Sequence, residues 1–227
     1  MIKIRLLGTL SLLCASILIS ANAVASSRDG VYFGAGVGGI ADKYDFTVRH
    51  LNTNQTLNIP AHEEKNGLAN VFLGYGSTAD TGLYLAGELG TYFPSRSTSF
   101  NRPGLTFSNI TFTDTMSAQD YVTFDLLPGY RLNETWLIYG RAGLSYSHMS
   151  LEQAGNILAG PYSFSENKLA GRIGAGINFA FTNNFGMGLD YFYTRYQEMD
   201  ANALTYPVKF NQKLSSNFVG ISALYTI

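Results

Sequence analysis

From residue 30 to the last position, apolar side chains alternate with small or polar ones in eight segments separated by polar stretches. The final segment shows the pattern plainly: Val219, Ile221, Ala223, Tyr225 and Ile227 share one parity, and Gly220, Ser222, Leu224 and Thr226 the other. A two-residue period is that of a β-strand with one apolar face. Strands are therefore predicted at residues 30–41, 68–76, 82–93, 120–132, 136–147, 168–182, 186–196 and 214–227. A tilted strand needs about 9–11 residues to cross a bilayer, and these segments are close to that length. No segment sustains a helical period.

The connections fall into two alternating classes. Residues 77–81, 133–135 and 183–185 are short turns of Asn, Thr, Asp and Ser, whereas 42–67, 94–119, 148–167 and 197–213 read as long polar loops. Short turns at one end and long loops at the other are the arrangement of an outer-membrane barrel, with the turns in the periplasm.

The two faces differ in chemistry. On one parity lie Ala69, Val71, Leu73 and Tyr75, then Val122, Phe124 and Leu126, then Ile138, Ala142 and Leu144, then Ile173, Ala175 and Ile177, then Met187, Leu189 and Tyr191. This face is free of charge, as contact with acyl chains requires, since a basic residue at mid-bilayer costs about 2–4 kcal/mol. The opposite parity carries Asn70, Glu88, Asp125, Arg141, Arg172, Asn178 and Asp190 among glycines. Eight strands enclose a space that side chains just fill, so this face is expected to line a plugged, polar lumen. Asn70, Glu88, Asp125 and Arg141 are expected in one layer, with Arg141 between acids as structural glue. In the first strand Tyr32, Gly34, Gly36 and Gly38 are expected to face inward.

Aromatic residues gather at the ends of the outward face. Tyr75, Tyr130, Trp136, Phe181 and Tyr225 would ring the periplasmic interface, and Phe93, Tyr146 and Tyr193 the outer one. A sheet edge cannot stand in lipid, so the last strand must pair with the first. The expectation is an all-β fold: a closed, eight-stranded, antiparallel transmembrane β-barrel in an up-and-down meander.

The stretches "GVYFGAGVGG", "LAGELGTYF", "LLPGYRLNETWLIYGRAGLSYS", "GLDYFY" and the terminal "ALYTI" resemble the small outer-membrane barrels of the OmpA, OmpX and opacity-protein type. The resemblance implies passage by periplasmic chaperones to the barrel-assembly machinery, which in that family reads a terminal aromatic strand. Here Tyr225 is kept and Ile227 stands where the family usually has Phe. These motifs are architectural and identify no single activity.

The first residues are different text. Lys3 and Arg5 precede an apolar run over 6–19, followed by Ala21-Asn22-Ala23 and Ala23-Val24-Ala25, the pattern of a cleavable secretory signal. Cleavage is expected after Ala25, leaving a barrel domain at 26–227 in the outer membrane of a Gram-negative cell. The single cysteine, Cys14, lies inside that leader, so disulfides have no part in the domain. A formal charge of -1 with scattered Lys and Arg gives no reason to expect nucleic acid.

Three clusters invite chemistry. "GAGVGG" over 34–39 has the glycines of a dinucleotide loop but no following helix, so barrel lining is expected. His62-Glu63-Glu64 lacks a second ligand set, and neither metal nor cofactor is expected. His148 and Ser150, with Glu152, resemble the His-x-Ser pair of lipid A deacylases, although Leu151 stands where that family has Asn. The leading expectation is a non-enzymatic monomer serving envelope stability or adhesion. Its loops would touch outer-membrane lipids, lipopolysaccharide, or a host or cell-surface ligand. A narrow channel and a lipid A esterase are the alternatives.

Overall fold

The computed structural model describes residues 29–50, 52, 56–103, 111–154, 162–202 and 208–227. The expected leader lies outside the described residues. Among the described residues ten strands follow in chain order: β1 (Gly30–His50), β2 (Thr56–Thr78), β3 (Leu83–Phe93), β4 (Arg96–Pro103), β5 (Thr111–Arg131), β6 (Trp136–Ala154), β7 (Tyr162–Ala180), β8 (Phe185–Tyr196), β9 (Met199–Asn202) and β10 (Val208–Thr226). Around the wall the order is β1-β2-β3-β5-β6-β7-β8-β10, all antiparallel, and β10 returns to pair with β1 from Tyr32↔Thr226 to His50↔Val208. The wall therefore has eight staves. Above the membrane the chain of β3 resumes as β4 on β5, and that of β8 resumes as β9 on β10.

The short turns are closed by local chemistry. Asn133 Oδ1 accepts from the backbone N–H of Thr135 (2.8 Å) and Trp136 (2.9 Å), and Thr182 Oγ1 accepts from Asn184 (3.3 Å) and Phe185 (3.0 Å). In the first turn Gly82 donates to Ala79 O at 2.8 Å with φ +83°, a left-handed conformation that glycine adopts without strain.

Inward and outward parities lie as the alternation predicts. Val31, Phe33, Val37, Val71, Leu73, Leu89, Phe124, Ile138, Ile173, Leu189 and Ile221 are exposed on the wall, and Tyr32, Glu88, Asp125, Arg141 and Arg172 are buried within it.

The predicted long loops need correction, because most of 42–67, 94–119, 148–167 and 197–213 is strand. β1 alone has 21 residues, about 70 Å at ~3.3 Å per residue, far more than the ~30 Å hydrocarbon core. The reason is a change of sign in the pattern. Above the bilayer Tyr44, Met116, Ala118, Met149, Leu151 and Leu214 turn inward to form an apolar core, while Lys43, Lys65, Ser117, His148, Ser150 and Lys213 face outward. Alternation continues, but apolar-outward ceases to mark the strand where water replaces lipid. His62-Glu63-Glu64 thus lies in β2, not in a loop.

Leu89 sits mid-wall, opposite Leu73 and Phe124. Leu89→Arg is expected to lower unfolding free energy by about 2–4 kcal/mol, and Leu132→Arg at the periplasmic rim by less than about 1 kcal/mol. Urea titrations of the chain folded into phospholipid vesicles measure both.

Candidate functional site: charged layers inside the barrel

The lumen is stratified. At the periplasmic end Tyr32, Tyr84, Ala86, Leu127, Leu137 and Tyr139 form an apolar layer. Beneath it, at the rim, Asp29 accepts from Thr78 N (2.8 Å) and Thr78 Oγ1 (2.7 Å) and lies 3.6 Å from Arg131.

The middle layer is ionic, and the register explains its geometry. Arg172, Gly143, Asp125, Glu88, Gly74 and Tyr32 follow one another across the ladder from β7 to β1. Asp125 and Glu88 thus face each other directly, an arrangement of like charges that destabilises a sheet unless a cation joins them. Arg141 is that cation: its Nη1 donates to Glu88 Oε1 at 2.8 Å and to Asp125 Oδ2 at 2.6 Å, and its Nη2 to Asp190 Oδ1 at 3.1 Å. Asp190 lies between Gly176 and Gly220 and also accepts from Tyr139 OH at 2.7 Å. Tyr32 OH donates to Glu88 at 3.2 Å. Gly143 is needed for closeness, since a Cβ there would collide with the Asp125 carboxylate. Arg172 approaches Asp125 to 3.4 Å as an ion pair, donates to Tyr92 OH at 2.8 Å, and lies 4.0 Å above the Phe192 ring.

The structure thus brings together Glu88, Asp125, Arg141, Arg172 and Asp190. Asn70 borders the narrow cavity beside Arg141 and Asp190. An apolar layer of Ile40, Leu68, Tyr92, Phe192 and Phe218 closes over them.

A second ionic layer above this one escaped the sequence reading. Arg96 donates from Nη1 to Asp42 Oδ1 (3.1 Å) and from Nη2 to Asp120 Oδ2 (3.2 Å) and Tyr196 OH (2.8 Å). Ser145 and Ser147 donate to Asp120, and Ser216 to Asp42. Asp42 and Arg96 fell in segments read as loops. A signal existed, because the inward parity of Tyr84, Glu88 and Tyr92 resumes past the exposed bend at Pro94 in Arg96 and Thr98. Above, Tyr44, Met116, Met149, Leu151, Tyr196, Met199 and Leu214 fill the extracellular half.

The remaining sequence-selected residues lie on the wall. Tyr75, Tyr130, Trp136, Phe181, Tyr146, Tyr193 and Tyr225 have outward parity. Tyr225 packs between Phe33 and Phe185, with centroids 5.5 and 4.8 Å away, and Ile227 N donates to Val31 O at 2.9 Å. His148 and Ser150 also point outward but do not meet: His148 Nδ1 bonds Asn167 Oδ1 at 2.9 Å and its ring stacks on Tyr121, while Ser150 shares a 2.7 Å hydrogen bond with Ser117. His62 lies 3.5 Å from Glu64, and no cluster of three or more His, Cys, Asp or Glu suited to a metal occurs among the described residues. On the exposed extracellular face, hydrogen bonds from Asn211 and Lys213 hold Glu198 below the ordinary carboxylate range, and Lys209 and Asn211 do the same for Asp200.

A family model described as outer membrane protein beta-barrel domain matches residues 10–212. No curated protein shows significant sequence similarity to the chain. Among solved structures, the outer membrane protease OmpT from Escherichia coli is similar at 9% identity and a TM-score of 0.51, covering 92% of this chain and 100% of its own. The outer membrane protein OprG from Pseudomonas aeruginosa is similar at 16% identity and a TM-score of 0.50, covering 88% and 98% respectively. Ail, the attachment invasion locus protein of Yersinia pestis, aligns at 15% identity and a TM-score of 0.35, covering 85% and 99%. At these identities the likeness to OmpT and OprG is one of fold.

Removing Arg141 leaves the buried carboxylates of Glu88 and Asp125 and the part-buried one of Asp190 without their common partner. Arg141→Leu is expected to cost about 3–5 kcal/mol in the same vesicle titration, and adding Glu88→Gln to recover part of the loss, because one stranded charge is then gone.

Proposed function

The chain belongs to the outer membrane protein β-barrel domain family, and from that premise we propose that it is a surface-exposed protein of the Gram-negative outer membrane serving envelope stability or adhesion through its extracellular half. The observation that carries this reading is the closed interior: Arg141 and Arg96 each tie acids from several staves into layers that fill the lumen, so the part of the molecule presented to partners is the long extracellular wall. The filled lumen supports a non-conducting role. The separate partners of His148 and Ser150 support a non-enzymatic one. Lipopolysaccharide, other outer-membrane lipids and a host or cell-surface ligand are the contacts this surface would make. On the same reading the chain is exported by a leader removed after Ala25 and handed by periplasmic chaperones to the barrel-assembly machinery. That machinery would read the end of β10 at Tyr225 and Ile227, and the barrel would stand as a monomer with its aromatic girdle at the two interfaces.

Two measurements test it. In intact cells a membrane-impermeant maleimide should label Ser117→Cys, on the extracellular part of β5, and spare Asn184→Cys in the opposite turn; the reverse pattern would overturn the orientation. Planar bilayers containing the folded chain should stay electrically silent, whereas regular current steps would favour a channel.

A further inference from the structure

The middle ionic layer ties six of the eight staves together directly. Arg141 on β6 bonds Glu88 on β3, Asp125 on β5 and Asp190 on β8; Tyr32 on β1 donates to Glu88, and Arg172 on β7 approaches Asp125. The two staves outside this set are β2 and β10, the neighbours of β1 on either side. Each nevertheless sends a polar side chain to one place. Asn70 of β2 and Ser222 of β10 line, together with Arg141 and Asp190, a cavity of about 10 Å³ walled by the rings of Phe72 and Phe218.

The polar groups at this cavity have bonding capacity left over. The Nε–H of Arg141, in a side chain only 5% exposed, has no acceptor. Asp190 accepts from Arg141 and Tyr139 through Oδ1, so its Oδ2 is uncommitted. Asn70 and Ser222 make no side-chain hydrogen bond among the described residues. Glycines let these groups converge: a Cβ on Gly36 would lie 2.5 Å from Asn70 Oδ1 and 3.1 Å from Ser222 Cβ, and one on Gly188 would lie 2.6 Å from Ser222 Oγ and 3.6 Å from Asp190 Oδ2. A buried donor without an acceptor is costly, so the arrangement calls for a ligand.

Size and charge select it. Three carboxylates against two guanidinium groups leave the layer with an excess of one negative charge, which disfavours an anion. A metal cation would lie against a guanidinium and leave the Nε–H unanswered. Water meets both demands, and a cavity of roughly 10–15 Å³ holds one molecule. We propose that a single buried water is the ligand of this cavity and joins β2 and β10 to the ionic layer. It accepts from Arg141 Nε, donates to Asp190 Oδ2, and completes its two to four polar contacts with Asn70 and Ser222. Through it the layer reaches all eight staves, the two that flank β1 included.

A crystal structure of the full folded chain, at a resolution that shows ordered solvent, tests the site directly. One peak of water strength is expected about 2.9 Å from Arg141 Nε. An empty cavity, a direct bond from Asn70 or Ser222 to Nε, or a peak with the contact distances of sodium or chloride would overturn the proposal. A double-mutant cycle gives a second reading. Asn70→Ala and Ser222→Ala each remove one partner of the same water, so each should lower the urea midpoint of the chain in phospholipid vesicles. The double variant should fall short of the summed shifts, because side chains that share a partner do not act independently. Ser145→Ala, in the second ionic layer, should add fully to either. Unchanged midpoints, strictly additive shifts for Asn70 and Ser222, or an equal shortfall with Ser145→Ala would each count against a shared water. A gel shift between unboiled and boiled samples shows that each variant has closed its barrel, and the crystal structure decides the matter if one has not.

Discussion

A main-chain N–H or C=O left bare among acyl chains costs several kcal/mol, and a strand exposes one of each per residue along its edge. That cost decides the architecture. Between the two interfaces each stave is paired on both sides, and the closing pair, β1 with β10, is as continuous as any other. The chain's last strand lies inside the sheet because an edge there has nowhere to go. Above the bilayer the constraint lapses. Water can satisfy free edges, and it is there that the wall parts between β2 and β4 and between β7 and β9.

The same economy of solvation orders the inside. A barrel this narrow excludes most water, so each ionic group must find its counter-charge among side chains reaching in from other staves. Arg141 and Arg96 do this at two heights, each bound to acids from different staves, with hydroxyls of Tyr and Ser completing the coordination. Apolar and aromatic layers separate the ionic ones. Because each guanidinium ties several staves, these layers stabilise the wall's closure as well as filling it. Glycines at 74 and 143 make the close packing possible: Gly74 leaves space for the Tyr32 ring, and Gly143 for the Asp125 carboxylate.

Much of this was legible from residue order. The number of staves, the inward set from Tyr32 to Asp190, the outward set from Val31 to Ile221 and the closing of the wall all follow from parity, because a side chain's face in a strand is a local property. Arg141 as the partner of Glu88 and Asp125 could be anticipated from their similar heights above the periplasmic turns. Asp190 and Arg172 could be assigned to the lumen but not to their partners, since contact across the barrel depends on strand stagger, which no local pattern encodes. The second layer was missed for a different reason. Asp42 and Arg96 lie where the outward face turns polar, and a criterion tuned to lipid stops reading strand at that point.

By itself, then, the sequence determined that the wall alternates, which side meets lipid, and that charges must lie inside, because each of these depends only on the period of a strand and the solvent on either face. Tertiary structure alone decided how far the strands continue past the membrane, which acids share Arg141 and Arg96, that His148 and Ser150 stay apart, and where the upper wall opens. Those outcomes depend on register and stagger among strands distant in the chain, and so on packing that forms only when the barrel closes.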